Sequence, residues 1–492
     1  MQMKARKNYI FLLVAVWLSA TLLSAEAVPK NQIKVLIKLA GATAKDELKL
    51  KVGSATLFAA EYPYRQEYKA TFDSGLFRFE IPVTSASGYF SVSKARTFTD
   101  TGAGAGTAMI ISQQIWRNGD SIFINASVRE TYAGINGHYT FQGLGALRYT
   151  LNASIDSILF LPTQESSSDL IAKHGIVDPY EVLRPIARAF LDNHKGGLSQ
   201  QDWEILRIKI DFFNGNSVFV PLKNYWQGLS VTERSNAIKK YQSVYKERFN
   251  KQYTASGLLQ SLDYLKFIRY RYAAESILVN GRFDFMWIYN SIKSSDQAQS
   301  LKDACIAVLF SRYRLPVDAN TTLDDAISFV SENDASVILR RIKEATGKKL
   351  FTGFELFDIN NNVVSYADFK GKTVLLDFWT NGCGGCKLFY ETALKYVEEK
   401  FAHDSSVVFL SIGADRWRKR WIDGIGTGFY TSNDAINLYT GPKGEAHPVI
   451  SDNFIKSFPT VILVNKDGYI FKHNTQDLYH KDSLIVLIEK IK

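Results

Sequence analysis

Asp377-Phe378-Trp379-Thr380-Asn381-Gly382-Cys383-Gly384-Gly385-Cys386-Lys387 decides how the C-terminal part of this chain reads. The compact apolar run Thr373 to Trp379 before it predicts a buried strand. After it, apolar residues predict a helix from about Cys383 to Phe401, with Leu388, Phe389, Ala393, Tyr396, Val397 and Phe401 on one face. Two cysteines that open a helix directly after a strand carry a mechanism. The first sulfur meets unpaired backbone N–H groups and the positive end of the helix dipole, which favour its thiolate, the attacking form. One turn deeper, the second sulfur can attack a mixed disulfide and release the partner.

Outward from this stretch, Ser406 to Ile412 predicts a second buried strand. A longer helical excursion follows, then Pro459 to Val464, a turn at Asn465-Lys466-Asp467-Gly468, the strand Tyr469-Ile470-Phe471 and a terminal helix from about Asp482 to Ile491. That order describes an α/β sandwich with parallel and antiparallel strands.

The residues around the cysteines resemble the thioredoxin superfamily: Asp377, Phe378 and Trp379, both cysteines and Lys387, with Phe458-Pro459-Thr460 before a hairpin far downstream. The resemblance covers about residues 350 to 492. The long segment between Ile412 and Phe458, together with the export signal described below, is similar to the exported TlpA-like branch, whose large members also carry an N-terminal β module and a helical middle. It implies that Cys383 is the nucleophile and Cys386 the resolving thiol. Asp377 would be a buried acid, its pKa raised by desolvation, that takes the Cys386 proton. Pro459 would lie against the disulfide with its peptide bond cis. Trp379, Phe458 and Thr460 would border the substrate groove, with Trp379 beneath the loop. Two positions depart from the family pattern, which usually has Trp before the first Cys and Pro before the second. Gly382 and Gly385 stand there instead, removing an aromatic surface and loosening the backbone. Since about 30 mV corresponds to ~1.4 kcal/mol, such loop changes are large enough to tip a reductase toward an oxidant.

The rest of the 492 residues has a different texture, and the length predicts more than one domain. Residues 31 to about 130 read as β: Ile33 to Leu39 nearly alternates, as does Phe77 to Ile81, and Gly, Ser, Asp and Asn separate the runs. Short alternating strands suggest an antiparallel sandwich, and Thr101 to Gly106 a loop. From about 165 to 347 the period turns helical. Asp178-Pro179 opens a stretch with Val182, Leu183, Ile186, Ala187, Phe190 and Leu191 at spacings of three and four. Similar faces follow in 199–213, 231–248, 258–279 and 297–313, then in Asp324 to Val330 and Ala335 to Ala345. The expected organisation is a signal peptide over 1–27, a β-sandwich domain over 28–135, an all-α domain over 136–347 and the thioredoxin-like domain over 348–492.

At the N-terminus, Lys4, Arg6 and Lys7 precede an apolar run of 15 residues, Tyr9 to Leu23, and then Ala25-Glu26-Ala27. This has the form of a secretory signal cleaved after Ala27. A retained anchor is the competing reading, although the run is shorter than the ~20 residues that span a bilayer. Either way the remainder is exported, to the periplasm or cell envelope. Only three cysteines are present, Cys305, Cys383 and Cys386, too few for a disulfide-stapled scaffold, which leaves the Cys383/Cys386 pair free for chemistry. Cys305 reads as a buried helix residue. Zinc would need two more ligands, haem attachment a His in place of Lys387, and neither a cofactor nor a metal is expected. The net charge of +10 is dispersed among acids and predicts no nucleic-acid partner. Trp417-Arg418-Lys419-Arg420-Trp421 reads as one turn of a packed, solvated helix or, more sharply, as a positive rim beside the site.

Two functions follow from these expectations. The first is an exported thiol–disulfide oxidoreductase, acting as a reductase on protein disulfides and supplied with electrons by a membrane partner. The second is an envelope binding or assembly protein whose N-terminal units carry the function.

Overall fold

The computed structural model describes residues 31–60, 66–95, 107–131, 134–160, 180–213, 226, 230–249, 253–331, 333–347, 349–432 and 435–492. The signal segment, Thr101 to Gly106 and Asp178-Pro179 lie outside them. Among the described residues no helix is long and apolar enough to cross a membrane.

The N-terminal unit is built from eight strands: β1 Gln32–Leu39, β2 Glu47–Gly53, β3 Gln66–Thr71, β4 Phe77–Pro82, β5 Ser87–Ala95, β6 Thr107–Arg117, β7 Ser121–Thr131 and β8 Gly134–Leu144. They form two four-stranded sheets, ordered β4-β1-β7-β8 and β3-β2-β5-β6. Alternation sends Ile33, Val35, Ile37, Leu48, Leu50 and Val52 inward, and the two sheets close over one apolar core. The pairing differs from the expected antiparallel sandwich in one place: β1 and β7 run parallel, Val35 opposite Ile122. A parallel neighbour needs a crossover, and the chain reaches β7 from β1 only after building the opposite sheet.

A short helix after β2, Ala55–Ala60, leaves this unit and buries Phe58, Ala59 and Ala60 in the core of the helical middle. A buried ionic cluster ties the two units as well. Arg148, on the helix Ala146–Leu159, pairs with Asp120 at the β6–β7 turn and with Asp202 on the helix Gln200–Phe212, and Asp202 also takes the Arg117 guanidinium at 2.9 Å. The middle helices Val231–Phe249, Gln299–Arg312 and Asp334–Thr346 follow the sequence period. Expected as one helix, 258–279 is two: Ser261 ends Ala255–Gln260 and caps Leu262–Asn280, accepting the Tyr264 N–H at 3.2 Å. The helix expected from Asp324 begins at Ala319 instead. Val182 and Ile186 face outward, while Ala187 and Leu191 are buried.

The C-terminal unit carries a seven-stranded sheet. Its strands are β9 Glu355–Phe357, β10 Val363–Ser365, β11 Thr373–Trp379, β12 Val407–Gly413, β13 Ile436–Tyr439, β14 Thr460–Val464 and β15 Ile470–His473, in the order β10-β9-β13-β12-β11-β14-β15. β11, β12 and β13 are parallel; β14 and β15 return antiparallel. Every residue of β11 is buried because helices cover both sheet faces, which is why it reads as a continuous apolar run. The segment entering this unit joins the sheet edge: the Ile470 N–H donates to Lys349 O and the Phe351 N–H to Gly468 O, both at 2.8 Å, with Leu350 opposite Tyr469.

Candidate active site

Alternation along β11 places Val374, Leu376 and Phe378 on one face of the sheet and Leu375, Asp377 and Trp379 on the other. The second face is the one covered by the helix that Cys383 opens, since Leu375 packs with Phe389, Ala393 and Val397, and Trp379 with Cys386. Asp377 therefore lies under that helix, between the two clusters. It is 3% exposed, and one carboxylate oxygen has no hydrogen-bond partner among the described residues. Burial, then the negative charge of Glu398, pushes its pKa well above the usual carboxylate range. Glu398 sits half-buried on the helix Lys395–Phe401, where burial and then Glu399 bring its own pKa up to about 7. Reading the sequence alone misses this second carboxyl, because nothing local marks it.

Cys383 and Cys386 form a disulfide. Cys383 is the N-cap, its sulfur accepting the Cys386 N–H at 3.0 Å, and is half-buried; Cys386 is 2% exposed and sits inside the aromatic cluster. Only the first sulfur is thus open to an incoming thiol or disulfide. Behind the pair the helix takes one π-turn at Tyr390–Leu394 before resuming at Lys395. That extra residue changes which side chains face the core: Cys386, Tyr390 and Leu394 go inward with Phe389, Ala393, Val397 and Phe401, at steps of four. Leu388 and Tyr396, expected on the buried face, are 62% and 49% exposed.

The Phe458–Pro459 bond is cis. Pro459 lies close to the cysteine loop: a Cβ built on Gly385 would come within 3.2 Å of Pro459 Cδ. Phe458 is half-buried and packs against both the sheet core and the Trp379–Cys386 cluster. Of the residues expected at the groove, Trp379 lies beneath the loop and Thr460 is buried in the sheet. Trp379 is 0% exposed, donates its indole N–H to Ser411 Oγ at 2.8 Å and stacks on Tyr430; it supports the loop from below and does not face a substrate. Thr460 is buried, paired with Phe378, and its hydroxyl donates to Ser457 O at 2.7 Å.

The loop glycines also differ from expectation. Gly382 has φ +91°, a region that penalises any Cβ, and its N–H donates to the Tyr430 hydroxyl at 2.9 Å. The preceding residues are pinned by the buried Asp415, which accepts the Asn381 N–H at 2.8 Å and the Thr380 hydroxyl at 3.0 Å. Arg420 bonds Asp415 at 2.9 Å and donates to Asn381 O. The Trp417–Trp421 turn is therefore both packed, with Trp421 fully buried, and set against the site. An aromatic surface is present after all, supplied by the excursion: Phe429 is partly exposed, with Lys387 Nζ 3.7 Å from its ring centroid. Among the described residues no cluster of three or more His, Cys, Asp or Glu is placed to hold a metal ion.

Comparison with known proteins agrees with this unit. Residues 371–470 match the family model described as thioredoxin-like. No curated protein matches the chain. Among solved structures, the thioredoxin domain of a thiol–disulfide oxidoreductase from Bacteroides vulgatus is 26% identical, covering 29% of this chain and 96% of its own, with a TM-score of 0.26. A thiol:disulfide interchange protein from Bacteroides sp. is 26% identical over 29% of this chain and 88% of its own (TM-score 0.25). A thiol–disulfide oxidoreductase from Bacteroides fragilis is 21% identical over 28% and 99% (TM-score 0.26). The C-terminal unit is thus similar to thioredoxin-like domains over residues 371–470 and holds its two cysteines as a disulfide.

Proposed function

We propose that this chain is an exported thiol–disulfide oxidoreductase that reduces disulfides in protein partners through Cys383 and Cys386, with a membrane dithiol protein as its electron donor. The observation that carries the reading is the asymmetry of the pair: a half-buried cap sulfur at Cys383 and an enclosed Cys386, with the buried Asp377, its pKa raised, on the sheet face under the same helix. In the reduced state, the Cys383 thiolate attacks a substrate disulfide; one substrate sulfur leaves as thiolate and takes a proton from water. Asp377 in its ionised form, a stronger base for its raised pKa, takes the Cys386 proton; Cys386 attacks Cys383 and expels the second substrate sulfur as a thiolate, which recovers that proton from Asp377 through water. The substrate gains two electrons, and the pair closes to the disulfide form. A donor dithiol reverses the exchange on Cys383 and is itself oxidised. Phe458 and Pro459 border the approach to Cys383.

Replacing Cys386 with Ala tests this. The variant is expected to accumulate partners on Cys383 as mixed disulfides that a thiol reagent releases. Absence of such adducts, with a Cys383 thiol of ordinary pKa near 8.5, would sink the proposal. Direction follows from the potential of the pair: a reductase requires a value nearer ~−270 mV than the ~−120 mV of a strong oxidant. Fractionation of cells tests export.

A further inference from the structure

The loop that carries Pro459 is gripped on both sides by the helical middle of the chain. Upstream, Phe454 stands at φ +58°, a conformation hostile to a bulky side chain that persists only where the surroundings over-determine it. Those surroundings include the helical unit, because the Phe454 ring packs against that unit's apolar core. The neighbouring Asn453 carbonyl is tied to His473 Nε2 at 2.6 Å, which anchors the same turn to β15.

Downstream, the contact is made by the turn after the helix Gln299–Arg312. Leu315 pairs with the main chain beyond β15: its N–H donates to Asn474 O at 3.1 Å, and its carbonyl accepts the Gln476 N–H at 2.9 Å. Beside it, the Arg314 guanidinium lies 3.5 Å from the centroid of the Tyr479 ring. Tyr479 is the link to the site. Its hydroxyl is 3.0 Å from Pro459 O and 2.5 Å from Asn474 Oδ1, and accepts the Val461 N–H at 3.2 Å. Its ring packs edge-on against Phe389, on the helix that Cys383 opens.

We propose that the helical unit sets the position of the Pro459 loop through Phe454 and Arg314, which act as positioning residues for docking an extended protein segment beside Cys383. This rests on the disulfide-exchange reading of the same site. Arg314 acts through Tyr479 on the Pro459 carbonyl, and Phe454 holds the loop's other end. A contiguous packed network of this kind transmits a shift at one end to the other. Neither residue touches the sulfurs, so chemistry with a small disulfide, which needs no docked backbone, is independent of them.

The test uses the full chain and two probes: insulin, reduced with dithiothreitol as electron donor, and the small disulfide 5,5′-dithiobis(2-nitrobenzoate). Arg314→Ala is expected to raise the KM for insulin five- to ten-fold, with kcat and the small-disulfide rate within two-fold of the parent. Arg314→Lys, which keeps a cation over the ring, should recover most of the loss, and Phe454→Ala should reproduce the KM effect. An Arg314→Ala KM within two-fold of the parent, or an equal fall with both probes, overturns the proposal, and does so whether or not the Phe454 variant folds. A parent chain inert toward both probes would instead remove the exchange reading and this proposal with it.

Discussion

Asp377 holds its proton to higher pH than an exposed carboxyl does, because burial takes the carboxylate away from water and Glu398 adds negative charge nearby. An unfolded Asp loses that proton near pH ~3.9, so above this the unfolded chain binds fewer protons than the native one, and stability falls as pH rises toward the raised native value. Asp377→Asn should abolish that decline: the stability gained over the parent grows from pH 4 to neutrality by more than about 1 kcal/mol, a tenfold difference in proton affinity being worth ~1.4 kcal/mol. A pH-independent difference in denaturant unfolding would refute the assignment. Glu398→Gln removes the charge that helps hold the proton on Asp377, so the pH profile of disulfide closure should move to lower pH. The burial of Asp377 was legible from its place on the apolar strand Thr373 to Trp379. That of Glu398 was not, since it depends on a helix laid across the sheet, which no local pattern encodes. At Gly382 the left-handed backbone makes Gly382→Ala cost ~1–2 kcal/mol in thermal unfolding. A Trp at that position, usual in the family, would meet the same penalty here.

The helix behind the cysteines shows how an element can be half legible. Its existence followed from the apolar spacing, yet a period of 3.6 assigned Leu388 and Tyr396 to the wrong side, because one π-turn shifts the stripe to steps of four. Leu388→Ser and Tyr396→Ser should therefore change stability by less than about 0.5 kcal/mol. Phe389→Ala, one position along, should cost roughly 3–5 kcal/mol. Denaturant midpoints of the three variants decide the register. The excursion between β12 and β14 was visible only as a length of chain. Asp415 and Tyr430 reach the cysteine loop across 34 and 48 positions, a pairing that hydrophobic period does not report. Asp415→Ala strands part-buried donors at Thr380 and Asn381 and should cost about 1–3 kcal/mol, with faster alkylation of the reduced Cys383.

Across the molecule, the three textures of sequence correspond to three kinds of structure, because alternation, helical period and continuous apolar strands each survive in a single sequence. The joints between them do not, since they are made by isolated residues. Arg148 is one: with Asp120 and Asp202 buried around it, Arg148→Ala leaves uncompensated charge and should cost about 3–5 kcal/mol in global unfolding. Cys305, buried with its thiol pushed up to about 12, should resist alkylation in the native reduced chain, so that Cys383 reacts readily and Cys305 only on unfolding. The strand-like pairing of residues 349–351 with the β15 hairpin bears on kinetics. A redox head on a flexible tether sweeps a volume set by its linker and meets its partners at a raised local concentration. A head whose entry segment is stitched into its own sheet, and whose chain beyond β15 is paired with Leu315 of the helical unit, has no such reach. Cys383 works from a fixed berth, every encounter is a diffusive arrival, and the observed exchange rate should rise linearly with partner concentration until binding saturates.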